Sequence, residues 1–459
     1  MIEPATSPSP IITILFLAME FPPVNTAGVF RSLKFTKYLP LYDVRPVVLT
    51  LEASQAVEIF GDTSDPALLR ELPVDVKVVR VACGEAKASR LGALGRFLSI
   101  YFQIEDRIGS AWRKQLMERM PALVAEYRPQ ALYVSLPPFS AGRLAMTISR
   151  RYQLPLIVDM RDGWSHWRVG PYGSWLHFYL TARRERALFR AATVIVTVTR
   201  QLARMFATVH AGVPANRIQV ITNGYDFDLD LPDRIDVPKR DESSRIVIGY
   251  TGSFYYEPDK RAAHFTPWWR KRFHRKLQYS AVKEDWLYRS PHFFMRALAL
   301  LFDRRPDLRS RVVFEVIGSN APWLTEMAES FGIAANCLFH GRGTQADVLQ
   351  FQSKCDAFLC TSVKVPDGQD YAIASKTFDY LRYAKPILGF VTEGAQRDFL
   401  HESGMSLLCD PDNVDASIRV LEALADGGFS LNPNLEFLSA FHRKALAAQL
   451  ADTIKNVAA

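Results

Sequence analysis

Short runs of β-branched and aliphatic residues alternate along this chain with longer stretches of helical periodicity, and the alternation occurs twice. In the first half the runs are Ile11 to Leu17, Val47 to Leu49, Val76 to Val81, Ala131 to Val134, Leu156 to Val158, Val194 to Thr197 and Val220-Ile221. In the second half they are Ile246 to Tyr250, Val312 to Ile317, Cys337 to Phe339, Ala357 to Cys360, Pro386 to Phe390 and Ser406 to Leu408. Continuous apolar runs of this length are characteristic of strands covered on both faces by crossover helices. The pattern predicts two doubly wound, Rossmann-like α/β domains, over residues 1–225 and 246–440. Between them Asp226 to Arg245 is rich in Asp, Arg and Pro without apolar periodicity and is expected to be a linker. Open parallel sheets bind ligands outside the carboxyl ends of their strands, so two such domains facing one another would enclose a cleft.

Length and composition fit this picture. With 459 residues, 48% of them hydrophobic and 23% charged, the chain has material for two ordinary cores. No apolar run approaches the roughly 18 to 20 residues that cross a bilayer. The stretch from Ile11 to Met19 is too short and ends at Glu20. Lacking a basic start and a small-residue cleavage site before it, that stretch is expected to be a buried first strand and not a signal peptide, which predicts a cytoplasmic protein. The five cysteines (Cys83, Cys337, Cys355, Cys360 and Cys409) form no C-x-x-C pair and are expected to be reduced and structural. A formal net charge of +8 favours polyanionic partners without choosing among nucleic acid, anionic lipid and phosphorylated substrates.

Chemistry concentrates in the loops that follow strands. The segment Ser375-Lys376-Thr377-Phe378-Asp379-Tyr380 predicts a helix whose first turn offers backbone N–H groups and Lys376 to an anion such as a diphosphate. Asp379, one turn further on, is placed to accept two hydrogen bonds from a ribose diol. Thr251-Gly252-Ser253 lets backbone N–H groups approach a phosphate, and Gly28 with Arg31 after the first strand offers either a second anion contact or a simple strand-to-helix turn. Asp159-Met160-Arg161-Asp162-Gly163-Trp164 sets three charges and an indole at a strand end. One aspartate is accounted for by pairing with Arg161, leaving a second carboxylate to meet an acceptor hydroxyl or sugar ring. The histidines show no metal-ligand spacing, no Ser/His/Asp set is recognisable, and no nucleic-acid reader module is present.

Taken in order, Pro22-Pro23 with Gly28 and Arg31, Ser135-Leu136-Pro137-Pro138, Asp159 to Trp164, Asn223-Gly224-Tyr225-Asp226, Thr251-Gly252-Ser253 and Ser375 to Tyr380 resemble a family 4 nucleotide-sugar glycosyltransferase with the GT-B fold, most of all the bacterial exopolysaccharide and surface-polysaccharide enzymes. The resemblance covers almost the whole chain. It implies retaining transfer of a sugar from a nucleoside diphosphate without a metal or other cofactor, in a cleft between the domains, with a C-terminal helix (here Phe441 to Val457) crossing back to the first domain. By this resemblance Asp379 matches the glutamate that holds the donor ribose. Gly28, Gly252, Ser253, Ser375, Lys376 and the base-side loop Gly341-Arg342-Gly343 match donor-binding positions. Lys376 and Arg31 would stabilise the leaving diphosphate, and Asp162 would orient the acceptor while the donor phosphate takes its proton. The family's other acidic residue falls on Tyr371, with Asp370 the nearest carboxylate, so the two-acid signature is incomplete, although the loop Val365 to Tyr371, with Asp370 and Tyr371, is expected to contact donor-sugar hydroxyls. A nucleotide-binding scaffold without activity and a nonhydrolysing nucleotide-sugar epimerase are the alternative readings.

Two segments hold six of the eight tryptophans: Trp164, Trp167 and Trp175 in residues 164–190, and Trp268, Trp269 and Trp286 in residues 260–289. Both are basic. The first carries Arg168, Arg183, Arg184, Arg186 and Arg190, and the second includes Lys260, Arg261, Arg270, Lys271, Arg272, Arg275, Lys276, Lys283 and Arg289. Indole rings settle at the membrane interface, and each Lys or Arg near anionic lipid contributes about 1 kcal/mol. The pattern predicts docking on the inner leaflet and a lipid-linked saccharide acceptor, the alternative being a core-covering insertion with solvated charges.

Overall fold

The structure is a computed structural model that describes residues 11–60, 64–84, 107–166, 170–241 and 243–459. The chain forms two compact units. The first comprises Met1–Asn223, Leu277–Ala281 and Arg443–Ala459, and the second Gly224–Lys276 and Val282–His442.

The first unit is built on seven strands: β1 (Ile12–Leu17), β2 (Val44–Leu51), β3 (Lys77–Val81), β4 (Ala131–Leu136), β5 (Leu156–Met160), β6 (Val194–Thr197) and β7 (Ile218–Val220). They are parallel throughout, in the order β3-β2-β1-β4-β5-β6-β7. Every residue of β4, β5 and β6 is buried, which is why these strands lack any in–out alternation. The helix Arg443–Ala458 lays Leu446, Ala447, Leu450, Ala451 and Ile454 onto Ile14, Phe16 and Tyr133. That spacing puts all five on one helical stripe.

The second unit contains β8 (Ile235–Val237), β9 (Ile246–Thr251), β10 (Val312–Ile317), β11 (Cys337–Phe339), β12 (Ala357–Thr361), β13 (Ile387–Phe390), β14 (Ser406–Cys409) and β15 (Phe429–Leu431). Six of these form a parallel sheet in the order β11-β10-β9-β12-β13-β14. In each unit the strand order therefore reverses beside the first strand of the sheet, and the crevice at such a switch point is where doubly wound folds hold ligands.

Two features differ from the expectation. Asp226 to Arg245 is part of the second unit and carries β8, which pairs antiparallel with β15. A three-residue strand shows no periodicity, and its partner lies almost two hundred positions later. Within the insertion after β9, Leu277–Ala281 joins the first unit, where Tyr279 and Tyr172 exchange backbone hydrogen bonds of 2.8 and 3.0 Å. All five cysteines are free thiols, and no helix among the described residues is long and apolar enough to cross a membrane.

Candidate functional site

At the switch point of the second unit, between β9 and β12, two glycines bring backbone segments into contact. Gly252 follows β9 with φ of +90°, and Gly318 follows β10 with φ of +117°. A Cβ at Gly318 would stand 2.7 Å from the Gly252 Cα, so a side chain there would force the two loops apart. Gly341 (φ +70°) lies in the loop after β11, its carbonyl accepting from the Gly318 amide, while Arg342 and Ser253 stay exposed.

The Lys376 ammonium lies beside this glycine edge, 3.3 Å from the position of a Cβ on Gly252 and 3.7 Å from the centre of the Tyr250 ring. It forms no ion pair with any described residue. Burial pushes its pKa down to about 7, against weaker opposing effects of Cys360 and Asp379. Lys376 stands at the second position of the helix Ser375–Tyr380, which carries exposed Ser375 and exposed Asp379. Gln396 sets the start of that helix, its Oε1 accepting from the Ala374 amide at 2.8 Å and from the Thr377 hydroxyl at 3.1 Å. One backbone donor expected to face a diphosphate is thus already used, and Lys376 contributes more of the positive charge than the short helix does. Asp370 is not available as a sugar ligand. It is 3% exposed, and its carboxylate accepts from the amides of Val363 (3.3 Å) and Ala372 (3.0 Å), closing the loop that buries Tyr371.

In the first unit the expected role of Arg31 is overturned. Its side chain is 2% exposed and all five N–H donors point at the protein, toward both Asp159 oxygens (2.7 and 2.9 Å), the carbonyls of Ile221 and Thr222 and Asn223 Oδ1. The Tyr133 hydroxyl also donates to Asp159. Burial works against the charge on Arg31, but Asp159 outweighs it and the guanidinium is held more firmly protonated than usual. Arg161 pairs with Glu20 at 3.3 Å and not with an aspartate. That pair lies against Gly28, where a Cβ would be 2.2 Å from Glu20 Oε2, so the chain's own side chains take the close approach Gly28 permits.

Half-buried Asp162 sits at the bend after β5. The loop beyond it is pinned by Glu185, a buried residue that sequence reasoning missed. Glu185 accepts from the amides of Trp164 (3.2 Å) and Ser165 (3.1 Å) and lies 3.1 Å from His210 Nε2. Trp164 is itself buried and stacked on Phe139 at 5.1 Å, so it faces the core and not a membrane.

The insertion separates into an inner and an outer part. Trp286 is buried with Val363 and Val365, Arg261 is bidentate to Asp285 (2.6 and 2.7 Å), and Lys260 pairs with Glu257. The outer part exposes Trp268 (64%), Trp269 (63%) and Phe273 (90%) beside Arg270, Lys271, Arg272, Arg275 and Lys276. Lys271 has its pKa lowered by burial and by Lys283 and Arg275, a sign of uncompensated positive charge. On the helix Trp175–Ala191, exposed Trp175 stacks on exposed Tyr179 at 5.4 Å, with Arg183, Arg186 and Arg190 further along. Trp167 and Arg168 lie outside the described residues.

Residues 43–224 match the model of the glycosyl transferase 4-like domain. No curated protein matches the chain by sequence. Among solved structures, Anabaena HepE in complex with UDP superposes with a TM-score of 0.59 at 15% identity, covering 97% of this chain and 100% of that one. Sucrose-phosphate synthase from Thermosynechococcus elongatus gives 0.56 at 11% identity over 97% and 99% of the two chains. The lipopolysaccharide outer core galactosyltransferase WaaB gives 0.54 at 12% identity over 97% and 99%. The fold is GT-B. The matched segment falls within the first unit.

Two measurements test these assignments. Arg31→Ala leaves Asp159 buried without its partner and should destabilise the first unit by about 3–5 kcal/mol in urea denaturation, while folded mutant retains nucleotide binding; a diphosphate ligand would show the reverse. The affinity for a nucleotide sugar, whose diphosphate has no proton to lose near neutral pH, should be flat below pH 7. It should fall up to about tenfold per unit above it, because binding an anion requires the protonated form of Lys376. In Lys376→Arg, calorimetry should find this dependence gone.

Proposed function

We propose that this chain is a retaining, metal-independent glycosyltransferase that moves a sugar from a nucleoside diphosphate to a lipid-linked saccharide in polysaccharide synthesis. The observation that carries the donor reading is Lys376, a half-buried cation with no counter-ion, beside the Gly252 backbone at the switch point of the second sheet. Buried cations ordinarily have partners, and an anion placed against Gly252 would supply one. Asp379, exposed one turn beyond, is the ribose ligand in this reading.

In the reaction the bond between the sugar C1 and the diphosphate oxygen breaks and its electron pair stays on the diphosphate. Lys376 stabilises the charge that develops there. The acceptor hydroxyl oxygen bonds to C1 on the face the diphosphate leaves, and its proton passes to a diphosphate oxygen. Asp162 of the first unit orients that hydroxyl in this reading, and Glu185 holds the loop that follows it. The exposed indoles and unpaired cations of the insertion support peripheral attachment to the cytoplasmic leaflet, where a lipid-linked acceptor would be found.

Uridine or guanosine diphosphate at a hundred times its Kd should stabilise the wild type by about 2.7 kcal/mol, seen as a rise of a few degrees in melting temperature. Asp379→Ala should abolish that rise and leave the unliganded melting temperature unchanged, since the residue is exposed. Absence of any response in the wild type would defeat the donor reading. In low-salt cosedimentation, the wild type should pellet with vesicles containing anionic lipid. The quadruple variant Trp268→Ala, Trp269→Ala, Arg270→Glu, Lys271→Glu should remain in the supernatant; equal pelleting of both, or none by the wild type, would remove the membrane claim alone.

A further inference from the structure

Resting on the donor reading above, we infer that Tyr380 is a positioning residue for that site: its hydroxyl completes β9 where β12 turns away, and so sets the Lys376 helix against the Gly252 turn. A strand inside a sheet sends alternate amides to its two neighbours. The Gly252 amide donates to the Ile317 carbonyl of β10 at 2.8 Å, so the Thr251 amide beside it faces the other way, toward β12. β12 does not receive it. The register between the two strands consists of Ala357 opposite Ile248 and Phe358 opposite Gly249, and β9 continues past that pairing to Thr251.

The Tyr380 hydroxyl takes the place of the missing strand. It accepts from the Thr251 amide at 3.0 Å and from the Thr251 hydroxyl at 3.3 Å. At the opposite end of the same pairing Asp356 Oδ2 accepts from the Val247 amide at 2.8 Å, so a side chain stands in for a strand at both ends. Tyr380 is fully buried, and its ring stacks on Phe358 of β12 at 4.3 Å with 7° between the planes. One residue is thereby packed on β12 and bonded to β9, the two strands that part at the switch point.

Lys376 stands four positions earlier, one turn away on the same face of the helix Ser375–Tyr380. Its ammonium lies at Gly252 and the Tyr380 hydroxyl at Thr251, so one helical face meets two consecutive residues of the strand exit. A flexible lysine is placed only as well as the helix that carries it. Without the hydroxyl the Thr251 amide loses its acceptor, and the helix must shift for water or another carbonyl to replace it. Water that reaches Lys376 returns its pKa, lowered to about 7 by burial, toward the ordinary value. Of the other titratable groups around it, burial raises Tyr250, Cys360 and Tyr380, which keep their protons near neutrality, and Asp379 is the carboxylate that acts on it.

Calorimetry with uridine and uridine diphosphate, or the guanosine pair if that base is preferred, separates this role from a structural one. Tyr380→Phe keeps the ring and removes one oxygen. Below pH 7 it should bind the diphosphate about 3- to 10-fold more weakly and the nucleoside as the wild type does, and the decline of diphosphate affinity above pH 7 should move to higher pH. Tyr383→Phe is the control, since that hydroxyl donates to Gln352 Oε1 at 3.1 Å and not to β9; its affinity and pH profile should match the wild type. A Tyr380→Phe protein that is less stable but keeps the wild-type affinity and pH profile, or equal losses in Tyr383→Phe, would overturn the assignment while the wild-type response keeps the donor reading. If Tyr380→Phe does not fold, amide hydrogen exchange on the wild type decides: the Thr251 amide should be protected like its ladder neighbours in β9, and rapid exchange there would overturn the role. A wild type that binds no nucleoside diphosphate would remove both claims.

Discussion

In a sheet whose strands all run the same way, every carboxyl end lies on one edge, and the loops leaving that edge must diverge where the strand order reverses. This constraint organises the second unit. The loops after β9 and β10 leave side by side and touch through Gly252 and Gly318. The segment after β12 leaves in the opposite sense and returns as the helix that carries Lys376. The candidate site is therefore assembled from three segments that share only their position after strands of one sheet.

The first unit uses the same geometry for a different end. Its switch-point edge is filled by ionic groups that satisfy one another: Arg31 with Asp159 and Tyr133, and Arg161 with Glu20 over Gly28. Charges buried this completely stabilise a fold only if every donor has an acceptor, and Arg31 meets that condition with five. The network joins β5, the helix Ala27–Tyr38 and the segment after β7, and fixes the platform on which Asp162 is displayed.

The strands of both large sheets were legible because strands buried on two faces must be apolar without interruption, and thirteen separate runs carried that mark. β8 and β15 were not, since three residues cannot display a period and their pairing is remote. The glycine turn at Gly252 and the helix that carries Lys376 were legible in the sequence, whereas the pairing of Arg31 with Asp159 was not. Arg31 follows the loop that carries Gly28 and looked like an anion ligand. What decides a cation's role is whether a carboxylate from a distant strand reaches it, as Asp159 reaches Arg31. Trp164 and Trp286 turned inward for the same kind of reason, each meeting an apolar partner far away in the chain, while Trp268 and Trp269 met none.

The contact between the Lys376 ammonium and the Tyr250 face has a kinetic meaning. An aromatic face attracts a cation by about 0.5–2 kcal/mol, so the empty site already supplies its lysine with a substitute for an anion. In the donor reading proposed above, capturing a diphosphate would exchange that contact for ion pairs and gain only the difference, and its release would recover the contact. The ring would then act as a resident competitor, worth up to about thirtyfold in the release of the diphosphate relative to a bare ammonium.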